Sequence, residues 1–245
     1  NSWTELLEHK LGKDVANMGL YGYGGVQEKL MLEKYGLKLK PKIVLWGFFV
    51  NDFSDDFETI KTITDTETFG EKLYRQFAIV RYMWNNLGKV VRNSDTINYT
   101  DGKINIMLWP NQWKHLYPVA PGSQAVQFGE VVTKKNILDS KALADSINAE
   151  FVLILFSSKD QVYWDYVKNE VKGITYDEIS YPITEMKKFC QENNIRCLDL
   201  TPLLTKLASD GLQLHFKNDG HLNEEGNSVV ASEVFKYLTE NNLVS

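Results

Sequence analysis

The sequence predicts an α/β domain built on a parallel sheet, and three observations carry that prediction. Helical and strand-like segments alternate from the first residues, in the order helix, strand, helix, strand. The longest apolar runs, Ile43 to Val50 and Phe151 to Phe156, are far too short to cross a bilayer and read as buried strands. The same rhythm, interrupted over residues 53–122, resumes at Gln124 and holds to the terminal helix. We therefore expect a single domain over residues 1–245, with an insertion at about 53–122. The 245 residues are 43% hydrophobic, enough to bury a sizeable core in one large domain.

Taken in order, residues 3–12 set Trp3, Leu6, Leu7 and Leu11 on one helical face, opened by a Ser2/Glu5 capping box and closed by Gly12. A short strand, Asp14 to Met18, is expected next. The glycine-rich turn Gly19 to Gly25 follows, and then a helix with Val26, Leu30, Met31 and Tyr35 on one side. Pro41 introduces the strand Ile43 to Val50, which runs into Asn51-Asp52. Ser54 to Thr68 is acidic and Thr-rich and reads as a loop. Glu71 to Val91 reads as an aromatic-rich helix, and Ile97 to Ile106 as a hairpin turning at Asp101-Gly102. Trp109, Trp113, His115 and Tyr117 complete an insertion that either lies beside the site as a lid or forms a packed peripheral layer.

Beyond it, helices are expected over Gln124 to Asn148, Val162 to Val171, Thr184 to Asn193 and Leu203 to Ala208. Strands are expected over Glu150 to Phe156 and Arg196 to Leu200, and a last helix over about Glu224 to Asn241.

Charge and composition exclude some functions. A formal net charge of -5 without a basic stripe speaks against nucleic acid as a partner. No segment is long enough to span a membrane, and no signal peptide is visible. No His, Asp or Glu grouping makes a metal cluster, so neither metal nor cofactor is expected. Cys190 and Cys197 can be a disulfide in an oxidising compartment or two reduced thiols.

The residues that can do chemistry fall where strands of an open α/β sheet end. Gly22 lies past the first expected strand, Asn51 ends the second, and Asp219 and His221 precede the last helix. A neutral imidazole at His221 can take a proton from a nucleophile while Asp219 holds its other nitrogen. The Asn51 amide and the Gly22 backbone N–H can donate to a developing oxyanion. Each feature also has a plain structural reading: a helix cap for Asp219, and turns for Gly22 and Asn51.

Their joint order is more specific. Asn17-x-Gly19-x-x-Gly22, an apolar strand ending in Asn51-Asp52, and Asp219-Gly220-His221-Leu222-Asn223-x-x-Gly226 resemble the blocks of the SGNH (GDSL-type) esterase and acyltransferase superfamily. Phe156-Ser157-Ser158-Lys159 through Tyr163 is similar to a Pro-Ser/Thr-Lys-x-x-Val-Tyr segment of bacterial SGNH-like proteins, some of which add or remove acetyl groups on cell-surface polysaccharide. The resemblance covers most of the chain except residues 53–122.

It implies a flavodoxin-like three-layer parallel sheet and a serine mechanism. His221 would be the general base, Asp219 its orienter, and Gly22 and Asn51 the oxyanion hole. Lys159, Trp109 and Trp113 are candidates to line the substrate. The substrate would be a small-molecule or polysaccharide ester, and the location extracytoplasmic or membrane-anchored in a bacterium.

Two departures stand out. The commonest family spacing sets the Asp three residues before the His, where this chain has Asn218; Asp219 is two before. The family's Gly-Asp-Ser nucleophile block, carried on a central first strand, occurs nowhere in the sequence. Ser2 is explained by its cap, and Ser157 and Ser158 have no evident base. The expectation is an upstream segment bearing that strand and its serine. The alternatives are a non-catalytic SGNH-like module that binds glycan or protein, and a flavodoxin-like nucleotide binder, which the Gly19–Gly25 pattern does not fit.

Overall fold

The computed structural model describes residues 2–64, 96–108 and 124–244. It is a mixed α/β fold. The first part holds α1 (Trp3–Leu11), α2 (Gly25–Lys34), a 3-10 turn (Gly36–Leu39), β1 (Ile43–Phe49) and α3 (Asp52–Thr64). A hairpin follows, β2 (Ile97–Thr100) and β3 (Asn105–Leu108). The rest comprises α4 (Gln124–Ser146), β4 (Glu150–Phe156), α5 (Lys159–Val162), α6 (Trp164–Val167), α7 (Tyr176–Glu192), β5 (Arg196–Asp199), α8 (Thr201–Ser209) and α9 (Glu224–Glu240).

The main sheet has the order β1-β4-β5, with both pairings parallel. Register runs from Ile43 opposite Glu150 to Phe49 opposite Phe156. Because side chains alternate along a strand, each strand feeds both faces. Trp46, Phe48, Phe151, Leu153 and Leu155 pack with Leu32 of α2, Phe53 of α3, Ile137 of α4 and Met186 of α7. Val152, Ile154 and Leu198 point the other way, onto Leu7 of α1, Leu204 of α8, Val234 and Leu238 of α9, and the buried side of the hairpin. The sheet is therefore packed on both faces, which is why β1 and β4 after Glu150 are apolar runs, while β5 keeps the polar ends Arg196 and Asp199.

Several local expectations are corrected. Asp14 to Met18, expected as a strand, is in no ladder among the described residues. It is held by polar ties: Val15 N–H donates to Glu8 Oε2 at 2.9 Å, and Asn17 Oδ1 accepts from Gly19 N–H at 3.1 Å. The first part of Ser54 to Thr68, expected as a loop, is α3. Its acidic residues hid the helical spacing of Phe53, Asp56 and Phe57, of which Phe53 and Asp56 are buried.

The helix expected over Val162 to Val171 is two short helices, α5 and α6, set off earlier because Ser158 caps Gln161 N–H at 3.1 Å. The helix expected to begin at Thr184 begins at Tyr176, where Thr175 and Glu178 form a capping box; Pro182 sits inside it. Cys190 and Cys197 are free thiols, the first buried and the second half-buried. Burial and the adjacent Cys190 thiol push Cys197 up, the neighbouring thiol first. The helix expected over Glu71 to Val91 lies outside the described residues.

Candidate active site

The segment Leu214 to Asn227 is built almost residue by residue to hold a loop over the end of the sheet. Asn223 N–H donates to Leu214 C=O at 3.0 Å and Phe216 N–H to His221 C=O at 3.1 Å, closing the loop on itself. Asn223 also caps α9, its Oδ1 accepting from Gly226 N–H at 2.9 Å, while its Nδ2 donates to Gln213 C=O at 2.7 Å. Gly226 is required by contact: a Cβ there would lie 2.1 Å from Leu214 O. Asn227 ties the loop to α1, accepting from Trp3 N–H at 2.9 Å and donating to Leu222 C=O at 3.1 Å.

Within this frame Asp219 and His221 meet. Asp219 Oδ1 accepts from His221 N–H at 2.7 Å and is hydrogen-bonded to His221 Nδ1. Partial burial pushes the Asp219 carboxyl up, but the His221 amide and ring together hold it below its ordinary value. The pair is open to solvent, the His221 side chain being 73% exposed and Asp219 52%. With Nδ1 engaged, Nε2 is the nitrogen left to exchange a proton with a ligand.

Gly22, Asn51 and His221 line one groove of about 1620 Å³. Gly22 adopts φ +78°, the left-handed conformation that a turn closed by Tyr23 N–H onto Leu20 C=O demands at that place. Asn51 is half-buried between the end of β1 and α3. Its Nδ2 donates to Asp55 Oδ2 at 2.7 Å, and its carbonyl receives Ser54 N–H and Asp55 N–H, each at 2.9 Å. One hydrogen of the Asn51 amide is thereby occupied, and the amide plane is oriented by a carboxylate. Burial, and then Asp56, raise that Asp55 carboxyl to about 6.

Lys159, expected among the substrate-lining candidates, is placed elsewhere. It is 3% exposed and takes no part in the groove wall. Its Nζ donates to the carbonyls of Met107, Phe216, Lys217 and Asp219 at 2.7–3.1 Å. Burial lowers its ammonium to about 8, against the pull of Asp160 and Asp219. It fastens the hairpin and the Asp219 loop together. Met107 N–H adds a bond to Lys217 C=O at 2.9 Å, and Asn105 N–H one to Gln213 Oε1 at 2.8 Å.

His215, beside this clamp, is buried with its ring against Tyr163. Burial first, then Lys159 and His221, lower it to about 3, so it stays neutral. Trp109 and Trp113 lie outside the described residues.

Sequence reasoning missed Lys159's clamp and the Asp55 support of Asn51. The second was readable in principle as an i, i+4 pair, but only once residues 52–64 are recognised as helical. Among the described serines on the groove, Ser2 Oγ is occupied by Thr4 and the Glu5 amide, and Ser157 is buried with its hydroxyl unpartnered. No grouping of three or more His, Cys, Asp or Glu suited to a metal occurs among the described residues. No helix among them is long and apolar enough to cross a membrane. No family model matches the chain, and no curated protein does.

Proposed function

We propose that the chain is the larger part of an SGNH-type serine esterase or O-acyltransferase that acts on acyl esters of carbohydrate, acetyl esters first among them. One observation carries the reading: His221, paired with Asp219 and open to solvent, borders the same groove as Asn51 and Gly22. The nucleophile in this reading is a serine from a segment outside residues 1–245. Its Oγ attacks the acyl carbonyl while His221 Nε2 takes its proton. The carbonyl oxygen, now negative, accepts from the remaining Asn51 amide hydrogen and from Gly22 N–H. The imidazolium returns the proton to the departing sugar oxygen. Water, or a second sugar hydroxyl, then attacks the acyl-enzyme by the reverse path.

The test is hydrolysis of p-nitrophenyl acetate by the full-length polypeptide. His221→Ala is expected to lower kcat by roughly 10³-fold or more, the usual scale for removing a triad base. Equal activity of parent and variant removes His221 from the chemistry.

A second reading is a non-catalytic SGNH-like module that binds glycan or protein. It is favoured by the lack, among the described residues, of a serine hydroxyl bonded to His221. A Gly-Asp-Ser encoded within about 30 residues before Asn1, the span of a strand and its loop, supports the enzyme; its absence supports the module.

A further inference from the structure

The loop that carries His221 is a short antiparallel ribbon, and its pairing sorts the side chains by face. His215 and Leu222 stand opposite each other, flanked by the bonds from Phe216 N–H to His221 C=O at 3.1 Å and from Asn223 N–H to Leu214 C=O at 3.0 Å. One step along, Phe216 and His221 form the neighbouring cross-strand pair. Alternation sets both of their side chains on the face opposite His215 and Leu222. Burial agrees. His215 is 2% exposed and Leu222 half-buried, whereas Phe216 is 51% exposed and the His221 side chain 73%. Side chains paired in this way have Cβ atoms about 5 Å apart, so the Phe216 ring is the neighbour of the His221 imidazole on its open side.

The main chain of Phe216 is fixed at both ends. Its N–H is bonded to His221, and its C=O accepts from Lys159 Nζ at 2.7 Å. The ring itself belongs to neither core cluster and lies outside the groove wall. A rigid backbone therefore presents an apolar ring to water beside the imidazole. The next two residues, Lys217 and Asn218, are exposed as well. Their side chains make no hydrogen bond or ion pair among the described residues.

The chemistry of ester cleavage decides which part of a substrate meets this ring. On the hydrolase reading, the acyl carbonyl oxygen is turned to Asn51 and Gly22, in the groove. His221 Nε2 hands its proton to the departing alcohol oxygen, so the alcohol part lies over the open side of His221.

The geometry points to Phe216 as the platform for the alcohol part of the ester, a pyranose sugar, with Asn218 and Lys217 meeting its hydroxyls. The assignment rests on the hydrolase reading for the orientation of the ester. A pyranose offers a face of C–H groups, which suits the electron-rich face of an aromatic ring, and a rim of hydroxyls. Asn218 supplies two donors and an acceptor to that rim, and Lys217 three donors. A plain alkyl alcohol would use the ring and leave those polar groups unmatched. Phe216 is a specificity residue here and takes no part in bond making.

The experiment compares two acetyl esters on the full-length polypeptide. Methyl 6-O-acetyl-β-D-glucopyranoside carries a sugar as its alcohol part, and ethyl acetate carries an alkyl group too small to lie across both His221 and Phe216. Phe216→Ala is expected to raise KM for the glucoside about 10-fold, with kcat unchanged and ethyl acetate hydrolysis unaffected. Phe216→Trp, which keeps an aromatic face, is expected to restore KM. Equal losses on both esters mean that the ring only supports His221, and an unchanged KM for the glucoside means that it meets no sugar; either result overturns the proposal. Binding is read apart from turnover, by NMR of the Phe216 and His221 ring signals as methyl β-D-glucopyranoside is added. Saturable shifts in a protein that cleaves neither ester uphold the platform and reject the hydrolase. Cleavage of ethyl acetate with unshifted rings does the reverse.

Discussion

Lys159 shows how far a single side chain can lie from its apparent role. The resemblance made it a groove candidate, yet its ammonium sits under the Asp219 loop among four carbonyls. Those carbonyls are 52 to 60 residues away in sequence, so no local spacing announces them. Asp219 and His221 were legible for the opposite reason: the two residues that meet are two apart. Lys159→Met keeps the length of the stem and deletes every donor. Buried carbonyls left without a partner cost about 1–3 kcal/mol in total stability even after local relaxation. Thermal unfolding should therefore shift down by several degrees, about 2–4 °C per kcal/mol for a chain of this size. The amides of Phe216 and Asn223, which close the loop, should exchange faster. A variant with unchanged loop protection shows that the hairpin and the Asn223 cap hold the loop without the clamp.

At the scale of elements, the sequence revealed the strands better than the helices between them. β1 and β4 were legible because burial on both faces makes an unbroken apolar run. Helix α3 was not, because its buried positions include the acids Asp52 and Asp56. Asp56 reaches across to the start of α2, where its Oδ1 accepts from Val26 N–H at 2.8 Å. The early part of α7 was hidden by Pro182, although its capping box was present in the sequence. The junction of α9 with the Asp219 loop gives a sharp contrast between two glycines. At Gly226 a Cβ meets Leu214 O at 2.1 Å and Leu222 Cδ2 at 2.9 Å, and backbone must move. At Gly220 a Cβ meets nothing within 4 Å. Gly226→Ala should lose about 3 kcal/mol and, under the proposed hydrolase reading, most activity as α9 is pushed off the loop. Gly220→Ala, although it lies between Asp219 and His221, should leave stability within about 0.5 kcal/mol. Equal unfolding midpoints for the two variants contradict the close packing of α9 on Leu214.

Across the whole molecule, the α/β plan with its parallel sheet was legible, but its electrostatic cost was not, because that cost arises where α2 and α3 come together. Glu28 of α2 meets Asp52 and Asp56 of α3, with Asp55 beside those two, and Glu28 Oε2 is buried without a hydrogen-bond partner. Burial, then Asp56, raises Glu28 to about 8. Burial raises Asp52 as well, with Glu28 adding to it and the Phe49 amide opposing. Asp56 is also raised by burial, although Thr133 and Val26 donate to it. These carboxyls ionise near pH 4 in the unfolded chain and later in the folded one. Between those values the folded state holds more protons, so stability falls as pH rises. His215 works in the other direction: neutral when folded and titrating at about 3, it adds stability as pH climbs from about 3 to its unfolded value of about 6.5. Lys159, lowered to about 8 by burial, enters only above that pH. From pH 6.5 to 8 the histidine contribution is complete and the glutamate contribution is still being lost. The unfolding midpoint of the full-length polypeptide should therefore drop across that interval. Glu28→Gln, which keeps the shape and removes the titration, should flatten the drop and raise the midpoint at pH 8 above that of the parent. A midpoint that is level between pH 6.5 and 8, or a slope that survives Glu28→Gln, means that the α2–α3 carboxyls ionise without opposing the fold.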